Sequence, residues 1–567
     1  MKRLPFFASF VLLSGCVVAQ EANPPRQRVE RTNPPNAPAT QTPTEQPPQT
    51  QEPRAARTPQ AEQVPAQTTP AQRTPEPSEG SEGQQIRPMH FDMTEIPPVQ
   101  THHSIRVNGR ELRYTATTGR LPIKDAEGKI DAEMFFVAYT LDGADPASRP
   151  LTFSFNGGPG SASIWLHMGA MGPRKVVLQP QGWMPPAPYR LEDNPNTPLD
   201  KTDLVMVDAI GTGFSRPADT AAARKFWNMR GDIESFGEFI RLYLTRNERW
   251  SSPLYLFGES YGTTRSAGIA GYLADRGISF NGIVLLSTVL NFETLEFAKT
   301  NDVPYPLILP TLTWIAGYHH KLPADLQADV KKAAQESRDW ALGEYWSMLN
   351  KGDAMSVQEH ANVVDKLSRY TGLSKEVIEW ANLRIDVRTF THYLLADQKL
   401  RVGRLDARYT GPDPDGFMDT PFYDPTGSQT GPPFTSVFND YVRRELNYKT
   451  DMPYWTRANQ SGNFRWSWSG VEGFGGGYPD TATALRQAIV KDPYLKVLVM
   501  EGHYDLATPM AAADYTMDHL DLTPEYRKNI SYATYDSGHM VYLDQQSHAK
   551  MKQDFANFID ATTQRGR

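Results

Sequence analysis

The chain has one cysteine in 567 residues, Cys16. No internal disulfide can form, and thiolate-rich zinc clusters are excluded. Long apolar runs are also missing. The N-terminal run Leu4–Leu13 falls short of the roughly 20 residues a spanning helix needs. The net charge is modest, −7, and there is no long basic run, which argues against nucleic acid as a partner. Metal ligands are scarce in any useful spacing. His102-His103 and His319-His320 have no spaced third ligand, and Asp413-Pro414-Asp415-Gly416 has no glutamate closing a twelve-residue calcium loop. Neither metal nor cofactor is expected. Hydrophobic residues make up only 39%, but the deficit is confined to about the first ninety residues. The length alone allows two or three average domains or one large domain with insertions.

The N-terminus accounts for that deficit. Met1-Lys2-Arg3 and the apolar run after it form a basic and then a hydrophobic segment, an export signal over 1–19. Leu13-Ser14-Gly15-Cys16 resembles a bacterial lipobox, in which the signal is cut before the cysteine and its sulfur carries diacylglycerol. Ordinary cleavage after Ala19 is the alternative. With the lipid, Cys16 would anchor the mature protein to a membrane with no spanning helix, in the periplasm or elsewhere in the cell envelope. Residues 20–88 are rich in Pro, Gln and Thr and hold about a third of the 46 prolines. Such a segment buries too little apolar surface to fold and reads as an extended tether.

From about residue 89 the pattern is that of a folded body. Ser104–Tyr114 reads as a hairpin turning at Asn108-Gly109. Strands are expected at Glu133–Leu141, Leu151–Phe155, Leu204–Val207, Leu254–Phe257, Ile283–Val289, Lys496–Met500 and Ile530–Tyr535. Amphipathic stretches Ile233–Leu244, Thr263–Asp275 and Ser547–Ala561 alternate with them. Strands alternating with helices imply a mostly parallel sheet covered on both faces. The alternation lapses between residues 292 and 480. There Ala324–Leu349 and Val357–Asn382 have helical periodicity, followed by a Pro/Gly/Asp/aromatic-rich stretch. The division expected is a core over 89–291 and 481–567, with 292–480 as a largely helical cap. The aromatics Trp455, Phe464, Trp466 and Trp468 either wall a pocket or simply pack.

Leu254–Phe257 runs into Gly258-Glu259-Ser260-Tyr261-Gly262 and then a helix. Strand, tight turn and helix is the context in which a G-x-S-x-G serine projects its hydroxyl from the sheet. Leu151–Phe155 ends in Asn156-Gly157-Gly158-Pro159-Gly160, a loop able to turn bare N–H groups toward an oxyanion. Two late strands end at Asp505 and His539. A serine hydroxyl needs a neutral imidazole to take its proton and a carboxylate to hold the imidazole's tautomer. Ser260, Asp505 and His539 fall in the chain order of the α/β-hydrolase fold. Asp536 and Glu501 are the next candidates for the acid.

At this level the sequence resembles the serine carboxypeptidases over nearly all of 100–560. The motifs are Asn156–Gly160, Gly211-Thr212-Gly213-Phe214-Ser215, Gly258–Gly262, Gly502–Asp505, and Gly538-His539-Met540-Val541 with Asp544-Gln545. The resemblance implies oxyanion N–H groups from Gly158 and Tyr261. It implies substrate contacts from Asn156, Gly157 and Glu259, the terminal carboxylate among them, and a leaving-group pocket lined by Met540. The function implied is release of C-terminal residues from peptides through an acyl-enzyme on Ser260. An esterase or acyltransferase with the same triad, or a tethered binding protein without turnover, are the alternatives.

Two departures from the family pattern stand out. Ser161-Ala162-Ser163 replaces Cys-Ser-Ser, in keeping with the lack of disulfides. Ala170-Met171-Gly172-Pro173 replaces a Glu-x-Gly-Pro stretch, so the second glutamate that shares a proton with Glu259 is missing. His167, Arg174 and Arg265 are the nearby candidates to compensate. Without its like-charge neighbour Glu259 loses the main cause of a strongly raised pKa, so peptide hydrolysis is expected nearer neutral pH than in paired-glutamate relatives. Oligomeric state is not legible.

Overall fold

The computed structural model describes residues 88–414, 423–468 and 477–563. The export signal, Cys16 and all of the tether but Pro88 lie outside the described residues. Nine strands make up the path of the main sheet: β1 Val99–Val107, β2 Arg110–Lys124, β3 Ile130–Leu141, β4 Leu151–Phe155, β5 Asp203–Val207, β6 Leu254–Glu259, β7 Gly282–Leu286, β8 Lys496–Gly502 and β9 Ile530–Tyr535. Their spatial order is β1-β2-β3-β5-β4-β6-β7-β8-β9, with the short pair Arg216–Pro217 on β3. The first three are antiparallel, and β5 joins β3 in the same sense. From β5 to β9 every pairing is parallel. This is the α/β-hydrolase fold.

Local chemistry explains the strand ends. Asn108 and Gly109 have φ of 51° and 77°, the twisted two-residue turn that joins β1 to β2 without splaying them. Alternation along β3 sends Phe135, Val137 and Tyr139 to one face and Phe136 and Ala138 to the other. One face is covered by helices Met229–Arg246, Tyr261–Ala274 and Ala482–Lys491, the other by Pro425–Arg444 and Gln545–Thr562. The parallel strands β4 to β7 are buried along their whole length, which is why they read as continuous apolar runs, whereas the edge strand β9 is largely exposed.

The inserted region differs from its sequence reading. The periodic stretch 324–349 is broken at Asp329, whose carboxylate caps the helix Val330–Trp340 by accepting from Lys332 N. The stretch 357–382 is broken at Gly372, left-handed at φ 71°, and restarts behind the Ser374 cap. Pro304–Tyr318 is a nearly all-buried helix. Most unexpected is the 20-residue helix Pro425–Arg444, which tolerates Pro432 and Pro433. Tertiary burial of Phe434, Val437, Phe438 and Tyr441 outweighs the propensity cost that made this stretch read as irregular. No helix among the described residues is long and apolar enough to cross a membrane.

Candidate active site

The chain reverses sharply between β6 and the helix Tyr261–Ala274. Ser260 sits at the apex with φ 61° and ψ −132°, a strained conformation for a residue bearing a Cβ. The strain is held by Ser260 N donating to Leu286 O (2.9 Å) and by Thr263 N donating to Ser260 O (2.7 Å). Crowding explains the glycines. A Cβ on Gly258 would stand 2.1 Å from Gly262 O, and one on Gly157 would stand 2.4 Å from the amide nitrogens of Tyr261 and Gly262. The Asn156–Gly160 loop is therefore pressed directly onto the first turn of the helix. Neither Gly158 N–H nor Tyr261 N–H has a hydrogen-bond partner among the described residues, and both stand at this junction.

Asp505 and His539 meet across the ends of β8 and β9. His539 Nδ1 lies 2.7 Å from Asp505 Oδ2, and both residues are buried. Asp505 Oδ1 accepts from Ala507 N (2.7 Å) and Thr508 N (3.0 Å), while the Thr508 hydroxyl donates to Oδ2 at 2.6 Å and lies 3.2 Å from His539 Nδ1. Burial opposes protonation of His539, but the Asp505 charge and hydrogen bond outweigh it and the imidazole pKa ends above its ordinary value. Ser260 and His539 line one cavity of about 500 Å³. The serine hydroxyl makes no hydrogen bond to the imidazole among the described residues, a looseness common before substrate arrives. The other two acids do not reach the imidazole. Asp536 is exposed and pairs with His503 Nδ1 at 2.9 Å, and Glu501 accepts from Thr288 N.

Thr508 has no motif to announce it. The same is true of the segment Gly403–Arg408, which comes from the insertion and laces both catalytic loops together. His539 N donates to Leu405 O (2.6 Å), Leu506 N to Arg404 O (3.2 Å) and Ala407 N to Tyr504 O (3.0 Å). Buried Asp406 accepts from Gly538 N at 3.0 Å and from Arg408 Nε at 3.0 Å and Nη2 at 2.7 Å. Arg408 in turn donates to Asp536 O and Ser537 Oγ.

Asn156, Gly157, Gly158, Glu259 and Met540 all line the cavity with Ser260. Glu259 requires a correction. Loss of the second glutamate does not leave it with an ordinary acidity. Burial, with a smaller push from the Asp505 charge, raises its carboxyl to about 7, only partly opposed by the positive charge of His539 and by the neighbouring Tyr542 hydroxyl and Asn156 amide. Glu259 and the Tyr542 hydroxyl are both buried, and burial, with the carboxyl adding to it, holds the Tyr542 phenol well above its ordinary pKa. Ala170 is itself buried, its carbonyl accepting from Asn194 Nδ2 (2.8 Å) and facing His548 Nε2 (3.0 Å).

The proposed compensators are committed elsewhere. His167 lies 2.6 Å from the Tyr139 hydroxyl and is held neutral by burial, its pKa near 3. Arg174 pairs with Asp193 and Glu445. Arg265 pairs with buried Asp232 (2.8 Å) and donates to Asn156 O (2.6 Å), so it braces the loop from behind. None of the three lines the cavity; Arg404 and Arg457 do. Of the aromatics, Trp466 and Trp468 meet Tyr261 edge-to-face with centroids 5.3 and 6.2 Å away, and Phe464 packs on Trp227. Trp455 lies under the Arg216 guanidinium. Only Trp466 and Trp468 buttress the elbow, and none of the four lines the cavity.

Residues 110–295 match the family model described as serine carboxypeptidase. The match takes in the Asn156 loop and the Ser260 elbow and ends before Asp505 and His539. Solved structures with similar folds include a prohormone-processing carboxypeptidase from Saccharomyces cerevisiae, 16% identical, with 79% of this chain and 92% of that chain covered and a TM-score of 0.49. A proline iminopeptidase from Mycobacterium smegmatis is 15% identical over 79% of this chain and 98% of its own, TM-score 0.34. A putative aryl esterase from Burkholderia cenocepacia is 14% identical over 79% and 100%, TM-score 0.32. On the family match the chain is a serine hydrolase, related to the serine carboxypeptidases.

Proposed function

We propose that the protein is a serine carboxypeptidase, releasing C-terminal amino acids from peptides through an acyl-enzyme on Ser260. His539 Nε2 takes the Ser260 proton as Oγ attacks the scissile carbonyl, and Asp505 stabilises the imidazolium that forms. The carbonyl oxygen, now an oxyanion, is met by the N–H groups of Gly158 and Tyr261 at a helix N-terminus. His539 then passes its proton to the leaving amine as the C–N bond breaks. Water, deprotonated by the same imidazole, releases the acyl group. The observation that supports this reading over a plain esterase is Glu259. A buried carboxyl, kept protonated up to about pH 7 beside the nucleophile, can donate a hydrogen bond to a substrate carboxylate.

The test compares matched peptides with free and amidated C termini beside a simple ester. Release of single amino acids from the free peptide only is expected. Turnover of the ester alone makes the protein an esterase. We also propose, from the sequence, that the chain is exported and held at a membrane by lipid on Cys16. Cys16→Ser should move it from the membrane to the soluble fraction; an unchanged distribution overturns the anchor.

A further inference from the structure

Two guanidinium groups line the catalytic cavity, those of Arg404 and Arg457. Both residues are exposed, and neither side chain makes an ion pair or hydrogen bond among the described residues. The other charges facing the same space are few. Asp424 lines it, but its carboxylate is taken up by backbone N–H groups: Thr426 (2.8 Å), Gly427 (3.2 Å) and Arg404 (2.8 Å). Glu259 is the remaining acid and His539 the remaining base. Two unpaired cations in the wall of a reaction cavity call for an anion that comes and goes.

Their positions identify which anion. Arg404 adjoins Leu405, whose carbonyl holds the backbone N–H of His539, and the Arg404 charge acts on the His539 imidazole. In the reaction above, that imidazole delivers a proton to the nitrogen of the leaving residue. The α-carboxylate of that residue is only two bonds from the nitrogen, so it must lie within a few ångströms of the imidazole. Arg457 lines the same cavity from another segment, its backbone bridged to Ser161 beside the Asn156–Gly160 loop. We propose that Arg404 and Arg457 form the receptor for the substrate's terminal carboxylate, in the role that the missing second carboxyl would otherwise share with Glu259. The inference rests on the carboxypeptidase reading. A guanidinium keeps its charge at every working pH and meets a carboxylate with two parallel hydrogen bonds. Recognition therefore persists where Glu259 has ionised.

The experiment uses ester hydrolysis by the full-length protein, with an N-acylated amino acid and its amide as competing inhibitors. It therefore reads carboxylate binding whether or not peptides are cleaved. Peptide KM and kcat are measured alongside. Arg404→Ala and Arg457→Ala should each weaken inhibition by the free acid about 10- to 100-fold, and raise peptide KM more than they lower kcat. Inhibition by the amide should stay weak in wild type and variants alike. Arg404→Lys should restore only part of the loss, since it returns charge without the planar fork. Inhibition by the free acid unchanged in both alanine variants overturns the receptor. Inhibition that instead tracks a glutamate side chain on an amidated inhibitor shows that the arginines read a side-chain carboxylate, and overturns the assignment to the α-carboxylate. Carboxylate inhibition that depends on the arginines, with no peptide turnover, removes the carboxypeptidase reading and leaves the anion site standing.

Discussion

One wall of the catalytic cavity is built from strand ends of the sheet, the other from the inserted region, and the two are held by different physics. Ser260 and Gly158 stand where buried parallel strands stop, and His539 follows the partly exposed edge strand β9. Their backbones are fixed by the sheet and by contacts too close for a side chain. Arg404 and Arg457 stand on irregular segments held by hydrogen bonds to neighbouring loops, and Asp424 caps the helix Pro425–Arg444. The first wall is positioned to within the tolerances that bond-making requires. The second carries charge, whose effect falls off gently with distance and tolerates looser support. Chemistry is thus assigned to the sheet edge and recognition to the insertion, with Gly403–Arg408 as the seam between them.

The largest expected effects test the sheet-edge wall. Ser260→Ala should lower kcat by at least about 10⁴-fold and abolish labelling by an active-site phosphonate, with the thermal unfolding midpoint retained. Activity near wild type would mean that another residue is the nucleophile. Asp505→Asn should cost about 10⁴-fold in kcat, since an amide in place of the carboxylate favours the wrong imidazole tautomer. A loss of only a few-fold would move the acid elsewhere.

The seam comes next. Asp406→Ala leaves the Arg408 guanidinium without its buried partner and Gly538 N–H without an acceptor. It should destabilise the protein by about 3–5 kcal/mol in denaturant unfolding. If the insertion were only a lid, neither stability nor kcat would respond, and the division between the walls would be sharper than described.

The smallest effect concerns Glu259, the buried acid of the sheet-edge wall. Burial raises its pKa from 4.5 to about 7, so between those values the folded chain holds a proton that the unfolded chain has lost. Stability from this group therefore falls as pH rises from about 4.5 through 7, by on the order of 3 kcal/mol at about 1.4 kcal/mol for each pKa unit. Glu259→Gln removes that dependence. Its unfolding midpoint relative to wild type should be higher at pH 8 than at pH 5. Parallel midpoints across that range would show that Glu259 is not buried as a neutral acid.

Much of this was legible in the sequence because it depends on short-range rules. A buried strand, a crowded turn and a helix are each set by neighbours a few residues apart, so Leu254–Ala274 could be read directly. The same holds for the Asn108-Gly109 hairpin. The helix Pro425–Arg444 could not be read, because its prolines argue against it locally and only burial against the sheet reverses the outcome. His167, Arg174 and Arg265 were plausible cations by their nearness in sequence. Each is taken up by partners that the fold supplies, Arg174 by a glutamate 271 residues away.

By itself, then, the sequence determined the strand–turn–helix units, the order of Ser260, Asp505 and His539, and the absence of disulfides. All of these follow from local sterics, periodicity and residue type. Tertiary structure alone decided which acid meets His539, that Thr508 and Asp406 brace it, and that two distant arginines face the cavity. It also decided the acidity of Glu259. A pKa responds to how much water and charge surround a group, and those surroundings are assembled from segments hundreds of residues apart.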